Sequence, residues 1–227
     1  MLDIMALLVI LSALSALPLT HAHMQMINPS PLRDPYANRP NEPKDWNILV
    51  PLHPDGSDFS CKGYQWNTPW TPTATYEAGK TYKMELKGGA THGGGSCQLS
   101  LSFDRGVIFR VIKSIEGGCP EQKQYSFTVP HELGTMNAKR TTGLLSWTWY
   151  VFNRLGNREM YQSCAVVDII STRDVAEANA AAQTALSSYP ELFVANLAGV
   201  NDCVTKETVD VILDSPGADV DFAGGES

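Results

Sequence analysis

The chain has 227 residues, a formal net charge of −7 at pH 7 and a hydrophobic content of 43%, which is sufficient for a domain with a full core. It is mildly acidic and contains no cluster of lysine and arginine. This composition excludes nucleic acid and anionic membrane surfaces from the expected partners.

The first 22 residues have the features of a secretory signal peptide. The apolar run at 4–19 is too short to span a bilayer comfortably, and the small residues Thr20 and Ala22 follow it. Because no basic residue precedes the run, an uncleaved anchor is the alternative. Cleavage after Ala22 would leave His23 first, with a free α-amine beside its imidazole. We therefore expect a secreted, extracellular protein.

The region after the leader predicts a β-sandwich preceded by a long loop. Residues 23–58 are rich in Pro and Asn and show neither the helix nor the strand period, so an extended surface loop is expected. From Tyr76 to Ile170, short β-branched and aromatic runs alternate with Gly or Pro breaks, which predicts an antiparallel sandwich. The runs are TYKMEL, CQLSLSF, VIFRVI, QYSFTV, LLSWTWYVF and CAVVDII. Trp147 and Trp149 share one strand face and are expected in the core.

The sequence after Ser171 predicts a small C-terminal appendage. The Ala-rich stretch VAEANAAAQTALSS favours a helix or a linker that ends before Pro190. Residues 191–213 predict one or two strands, too short for a core of their own. The expected organisation is a signal peptide at 1–22, a sandwich domain at 23–171 and an extension at 172–227 packed on the sandwich.

Three separated stretches carry residues that could bind one metal ion. His92 lies in the glycine-rich loop GATHGGGS, where glycines allow positive φ and close approach of another molecule. Glu159 and Tyr161 would share one face of a strand, with Cys164 directed to the other face. Taken separately, these stretches are also typical of a solvent-facing loop histidine and an ordinary edge strand.

The donor types favour copper over zinc. A terminal amine and an imidazole on His23 can chelate a metal together, and His92 supplies a third nitrogen. Nitrogen ligands in a tetragonal arrangement favour Cu(II), with the phenol of Tyr161 in the weaker axial position. Zinc is the competing metal, but it normally prefers a tetrahedral set of ligands.

These stretches resemble the lytic polysaccharide monooxygenases, and among them auxiliary activity family 11, the fungal chitin-active group. The resemblance covers nearly all of the chain after the leader. It is carried by HMQM (23–26), DGSDFSCK (55–62), ATHGGGSCQLSL (90–101), VIKSIEGGCP (111–120), LSWTW (145–149), NREMYQSC (157–164) and the segment at 193–210.

The resemblance implies an all-β, immunoglobulin- or fibronectin-III-like sandwich and a histidine brace, in which His23 and His92 hold one copper ion cycling between Cu(II) and Cu(I). Tyr161 is similar in position to the family's axial tyrosine, and Glu159 to the acid that manages protons beside the metal. Ala90 matches the small residue that crowds the distal side of the copper.

The resemblance also implies a disulfide pattern. Counting alone leaves the pairing open, because two bridges among five cysteines can be drawn in about fifteen ways. The family motifs imply the bridges Cys61–Cys164 and Cys97–Cys119. They leave Cys203 without an assigned partner.

The activity implied is oxidative cleavage of β-1,4 bonds in chitin or a related glycan, by a monomer that uses O2 or H2O2 and an external electron donor. One alternative is a brace protein that binds copper without polysaccharide activity; another is a non-catalytic chitin-binding module, which would need no N-terminal histidine. Loop aromatics that could stack on sugars or serve as packing anchors are Tyr36, Trp46, Trp66 and Trp70. His53 and His131 are expected in solvated loops.

Overall fold

Two facing sheets form the computed structural model, which describes residues 23–135, 140–152, 158–170 and 179–223. The smaller sheet is antiparallel and contains, in spatial order, β1 (Met24–Asn28), β3 (Thr81–Gly88) and β6 (Gln124–Thr128). The larger sheet contains, in spatial order, β2 (Ala74–Glu77), β8 (Met160–Ile170), β7 (Arg140–Val151), β4 (Gly95–Ser102), β5 (Arg110–Glu116) and β9 (Val220–Phe222). Its inner strands are antiparallel, and the edge strands β2 and β9 pair in parallel with their neighbours. The predicted all-β sandwich is confirmed.

Helical structure in the described part of the chain is short. It consists of α1 (Tyr64–Asn67), α2 (Asn179–Ala185) and 3₁₀ turns at Cys61–Gly63 and His131–Thr135. No helix within the described ranges is long and apolar enough to span a bilayer. Helix α2 lies in the Ala-rich stretch for which a helix or a linker was predicted, so the helix alternative is confirmed for Asn179–Ala185.

The main core fills the space between the two sheets. Met24 and Met26 of the small sheet meet Leu99, Trp147 and Trp149 of the large one, and all five are essentially inaccessible to solvent. The alternation of side chains along each strand directs these residues to the shared interior. The prediction that Trp147 and Trp149 pack in the core is confirmed.

A second hydrophobic cluster covers the outer face of the large sheet. Tyr150, Met160 and Val166 project from that face, and apolar residues of irregular segments, including Leu52 and Leu197, pack over them. Strands β4 and β8 are therefore buried on both faces along nearly their whole length. The long loops of this chain thus form a structural layer of the fold.

Each predicted run contains a strand of the structure, including TYKMEL (β3) and QYSFTV (β6) of the small sheet. Strand β1 was predicted as loop, because it has only five residues and begins a region rich in Pro and Asn. The run VIFRVI becomes a strand only from Arg110. The strands predicted within residues 191–213 are wrong, since this segment pairs only through one isolated bridge, Arg110 to Glu191.

The segment 191–213 is irregular because its backbone groups bond to turns rather than to a strand. The amide of Ala198 donates to the Pro54 carbonyl, and the amide of Asn196 donates to the Cys203 carbonyl. Leu197 anchors the segment in the second cluster. The predicted signal peptide (1–22) and the predicted boundary near residue 171 lie outside the described residues, and the division into domains stays a prediction.

Two disulfides cross-link the described chain, and they are the two that the family motifs implied. Cys61–Cys164 ties the 3₁₀ turn to β8 across 103 residues of sequence, whereas Cys97–Cys119 links the start of β4 to the turn after β5 across 22 residues. Cys203 is an exposed free thiol. Cys164 points into the second cluster while Tyr161 points into the main core, as the strand alternation predicts.

We expect the bridge with the longer loop to contribute more stability. A cross-link lowers the conformational entropy of the unfolded chain and thereby raises its free energy. The increase is about 4.7 kcal/mol for a loop of about 100 residues and about 3 kcal/mol for a loop of about 20 residues. Replacing Cys61 and Cys164 together by alanine should therefore lower the free energy of unfolding more than the matched pair Cys97→Ala/Cys119→Ala. Denaturant titration of both double variants measures the difference, and the reverse order would contradict the prediction.

Candidate metal centre

Strand pairing brings His23 and the His92 loop to the same end of the sandwich. His23 immediately precedes β1, and its neighbour Met24 pairs with Gly88 at the end of β3. His92 follows four residues after that strand end. The centroids of the two imidazole rings lie 5.9 Å apart. Gly88 permits this approach, because a Cβ there would collide with the carbonyl oxygen of His23.

The loop that carries His92 is a tight turn with a fixed backbone. His92 adopts a positive φ of 51°, and the Gly94 amide donates to the Thr91 carbonyl at 2.8 Å to close the turn. The Gly94 carbonyl in turn accepts hydrogen bonds from the Phe152 amide and the Trp149 indole, each at 3.2 Å. This places the His92 ring at a defined position at the end of β4.

Tyr161 completes a cluster of three rings with the two histidines. Its ring centroid lies 5.8 Å from that of His23, and its phenol donates a 2.8 Å hydrogen bond to Oε2 of Glu159. Burial, together with the negative charge and hydrogen bond of Glu159, raises the pKa of Tyr161 well above its usual range. Tyr161 is therefore a neutral phenol at physiological pH. Tyr161 and Gln162 are both buried, so the alternative of an edge strand with its polar residues facing solvent is wrong.

One donor atom in this cluster has no hydrogen-bond partner. Nε2 of His92 is buried and makes no hydrogen bond. Buried polar atoms are nearly always paired, so an unpaired imidazole nitrogen facing other donors indicates a ligand position. The described residues contain no group of three His, Cys, Asp or Glu side chains that could hold a metal ion. A site here must therefore use other donors, and the phenol of Tyr161 and the amine predicted at His23 fit a copper ion.

The remaining predicted residues lie around the cluster. Ala90 stands two residues before His92 in the same loop and is partly exposed. Glu159 also lines a recess of about 350 Å³ together with Leu52, Arg158 and Asn196, so its carboxylate faces a solvent-accessible space as well as Tyr161.

Two of the four loop aromatics lie over the small sheet. Tyr36 and Trp46 are 74% and 67% exposed and meet edge to face at 6.0 Å. The ammonium of Lys87 lies 5.3 Å from the Tyr36 ring centroid, and Lys87 pairs across the sheet with Gln25. Met24 and Met26 point into the main core, so Gln25 and Lys87 lie on the outer face of the small sheet. Tyr36, Trp46 and Lys87 therefore form an exposed group over that outer face.

The other two aromatics and the other histidines lie elsewhere. Trp66 is exposed on α1, whereas Trp70 packs against the second cluster and donates its indole N–H to the Gln65 carbonyl. His53 is exposed and contacts Ser57, and the side chain of His131 is 81% exposed.

Trp149 is the residue of this site that the sequence did not reveal. Strand alternation assigned it to the core, where it does lie, but its ring also contacts Tyr161 at 4.6 Å and His92 at 5.7 Å between centroids. A contact that depends on where the end of a loop lies leaves no signal in strand periodicity. Its neighbour Trp147 gives the same sequence pattern without these contacts.

Comparison with known proteins identifies the family. The chain is 47% identical over 190 residues to AA11 family lytic polysaccharide monooxygenase A of Aspergillus fumigatus, covering 83% of this chain and 80% of that protein. The chain belongs to auxiliary activity family 11 of the lytic polysaccharide monooxygenases. It is also 37% identical to an AA11 enzyme of Aspergillus oryzae and 36% identical to AA11 enzyme B of A. fumigatus, covering 95% and 91% of this chain but 52% and 50% of theirs. It thus spans about half the length of these two relatives.

Other comparisons are weaker. No family model matches the chain. A cellulose-active polysaccharide monooxygenase from M. thermophila aligns with a TM-score of 0.41 at 14% identity, covering 70% of this chain and 80% of that one. A Bacillus amyloliquefaciens CBM33 protein in complex with Cu(I) aligns with a TM-score of 0.36 at 15% identity, covering 57% and 76%. Membership of family 11 makes the chain a lytic polysaccharide monooxygenase, an enzyme class that implies a copper cofactor and a polysaccharide substrate.

Proposed function

We propose that this family 11 enzyme is secreted, loses residues 1–22, and cleaves β-1,4 bonds of chitin or a related glycan oxidatively with one copper ion. The observation that carries the proposal is that the His23 ring lies next to both His92 and Tyr161, while a buried imidazole nitrogen of His92 has no hydrogen-bond partner. Family membership supplies the reaction class.

The proposed ligand set uses each residue through a specific group. His23 would bind the copper through its α-amine and its imidazole, and His92 would bind it through its imidazole. Tyr161 would stand beside His23 as a neutral phenol. When bound, the copper supplies a centre that an external electron donor can reduce and that then activates O2 or H2O2. Cu(II) leads the divalent affinity series for such nitrogen-rich sites.

Glu159 is suited to hold and move a proton next to this centre. It accepts the phenol hydrogen bond of Tyr161 on Oε2, which fixes the carboxylate. Because Glu159 also lines a recess that is open to solvent, protons can reach it when a polymer covers the histidine face. Ala90 would keep the distal side of the metal narrow without adding a competing donor.

The exposed aromatic group over the small sheet is compatible with a polymeric substrate. Tyr36 and Trp46 are held by a rigid loop, in which Arg39 donates hydrogen bonds to both carboxylate oxygens of Glu42 and Lys44 donates to the Pro35 carbonyl. Exposed aromatic rings on a preformed surface can pack against the apolar faces of sugar rings at low entropic cost. A monomer could bind the face of a crystalline polysaccharide through this surface.

Product analysis tests the proposed function directly. Protein that starts at His23, loaded with copper and supplied with a reductant, should release oxidised oligosaccharides from β-chitin, detected by mass spectrometry. The metal-free protein is the control and should release none. If copper binds but no β-1,4 glycan yields oxidised products, the protein is the alternative, a copper-binding brace protein without polysaccharide activity.

We expect Tyr161→Phe to separate copper binding from reactivity. The variant keeps the ring that packs on Trp149 but removes the phenol oxygen, which would be a weaker donor than the nitrogens, so copper affinity should change by less than about tenfold. The electron paramagnetic resonance spectrum of the Cu(II) form should change and turnover should fall. A spectrum identical to that of the unmodified protein would show that Tyr161 lies away from the metal.

A further inference from the structure

Trp149 occupies the central position beneath the candidate copper site. On β7 it pairs with Tyr161 of β8 on one side and with Cys97 of β4 on the other. Its ring contacts the rings of Tyr161 and His92, with interplanar angles of 33° and 34°. Within the described chain, it therefore contacts two of the three proposed ligand side chains and is itself fully buried.

The indole N–H of Trp149 also fixes the loop that carries His92. It donates to the carbonyl of Gly94, the residue whose amide closes the turn at Thr91. The fit is tight, because a Cβ on Gly95 would lie 3.0 Å from this indole nitrogen and would collide with the Tyr150 carbonyl. The direction in which His92 presents Nε2 thus depends on a hydrogen bond that Trp149 donates to Gly94, two residues after His92 in the loop.

We infer that Trp149 is the positioning residue of the copper site, setting the His92 loop against Tyr161 through its indole N–H and its ring. It does not bind the metal, and the inference rests on the proposed copper function. Partners that orient metal ligands without touching the metal typically change metal affinity about 10- to 100-fold when removed. The same order of effect is expected here.

The chain offers a matched control in Trp147. It lies on the same face of the same strand, is equally buried, and stacks on Trp149 at 6.1 Å between centroids. Its indole nitrogen has no hydrogen-bond partner, so its replacement by phenylalanine removes aromatic area but no hydrogen bond. The two substitutions are equal in chemistry and differ in the hydrogen bond to the His92 loop and in the ring contacts with Tyr161 and His92.

The experiment compares Trp149→Phe with Trp147→Phe in protein that starts at His23. We expect Trp149→Phe to weaken Cu(II) binding by about tenfold or more, measured by competition with a chelator, and to shift the paramagnetic resonance spectrum. Trp147→Phe should retain both properties of the unmodified protein. Equal copper affinity and identical spectra for the two variants would overturn the inference.

A second substitution covers the case in which Trp149→Phe does not fold. Benzothienylalanine introduced at position 149 keeps the shape of the indole and replaces its N–H by sulfur, so only the hydrogen bond to Gly94 is lost. It should reproduce the spectral shift with an unchanged unfolding temperature of the metal-free protein. An unmodified protein that shows no brace-type copper binding would instead refute the proposed function, so the two failures are distinguishable.

Discussion

Protein that begins at His23 should bind Cu(II) at least about 100-fold more tightly than the same chain with an extension of about ten residues in front. The extension converts the α-amine of His23 into an amide, whose nitrogen lone pair is delocalised into the carbonyl, and its own terminal amine lies far from the site. The chelate from one residue is then lost and only single imidazole donors remain. Since loss of a partner that merely orients a ligand costs about 10- to 100-fold in affinity, loss of a ligand should cost more.

A removable extension makes this test internally controlled. An extension that ends in a protease site directly before His23 allows copper affinity, the resonance spectrum and product release to be measured before and after cleavage of one preparation. Tight copper binding, the resonance spectrum of the proposed site and the release of oxidised products should be observed only after cleavage. Tight copper binding and oxidised products with the extension in place would refute the proposed ligand role of the amine.

The fold could be predicted largely because its central strands are long and contiguous in sequence. The paired strands β7 and β8 stand out as apolar runs, since both of their faces are buried. Strand β1 has only five residues and begins a region rich in Pro and Asn, so its alternation is too short to identify a strand. Irregular segments that cover the outer face, such as the one around Leu197, also contain apolar residues and therefore resemble strands.

The candidate site, like the fold, could be predicted from the sequence only in part. His23, His92, Glu159 and Tyr161 were identified from donor chemistry and from the motifs of family 11, and the structure brings them to one end of the sandwich. The role inferred for Trp149 depends on which of two equivalent core tryptophans reaches a loop carbonyl. That distinction is set by three-dimensional packing, so sequence periodicity treats both residues alike.

His92→Ala should remove copper-dependent stabilisation while leaving the metal-free protein nearly as stable as before. In the metal-free state the substitution deletes a buried nitrogen that has no partner, which offsets part of the packing lost against Trp149. With copper at about 100 times the Kd of the unmodified protein, binding stabilises that protein by about 2.7 kcal/mol. A 100-fold weaker variant would gain only about 0.4 kcal/mol under the same conditions.

Thermal unfolding with and without copper measures this difference. For a chain of this size, about 2.7 kcal/mol corresponds to an increase in unfolding temperature of roughly 5 to 10 °C, which should be present in the unmodified protein and nearly absent in His92→Ala. His131→Ala is the control, because that histidine is 81% exposed and lies in a 3₁₀ turn separate from the candidate site, so it should keep the full increase. An equal copper-dependent increase in the unfolding temperature of His92→Ala would place the metal at a different site. Removing His92 does not change the binding of an ion that His92 does not contact.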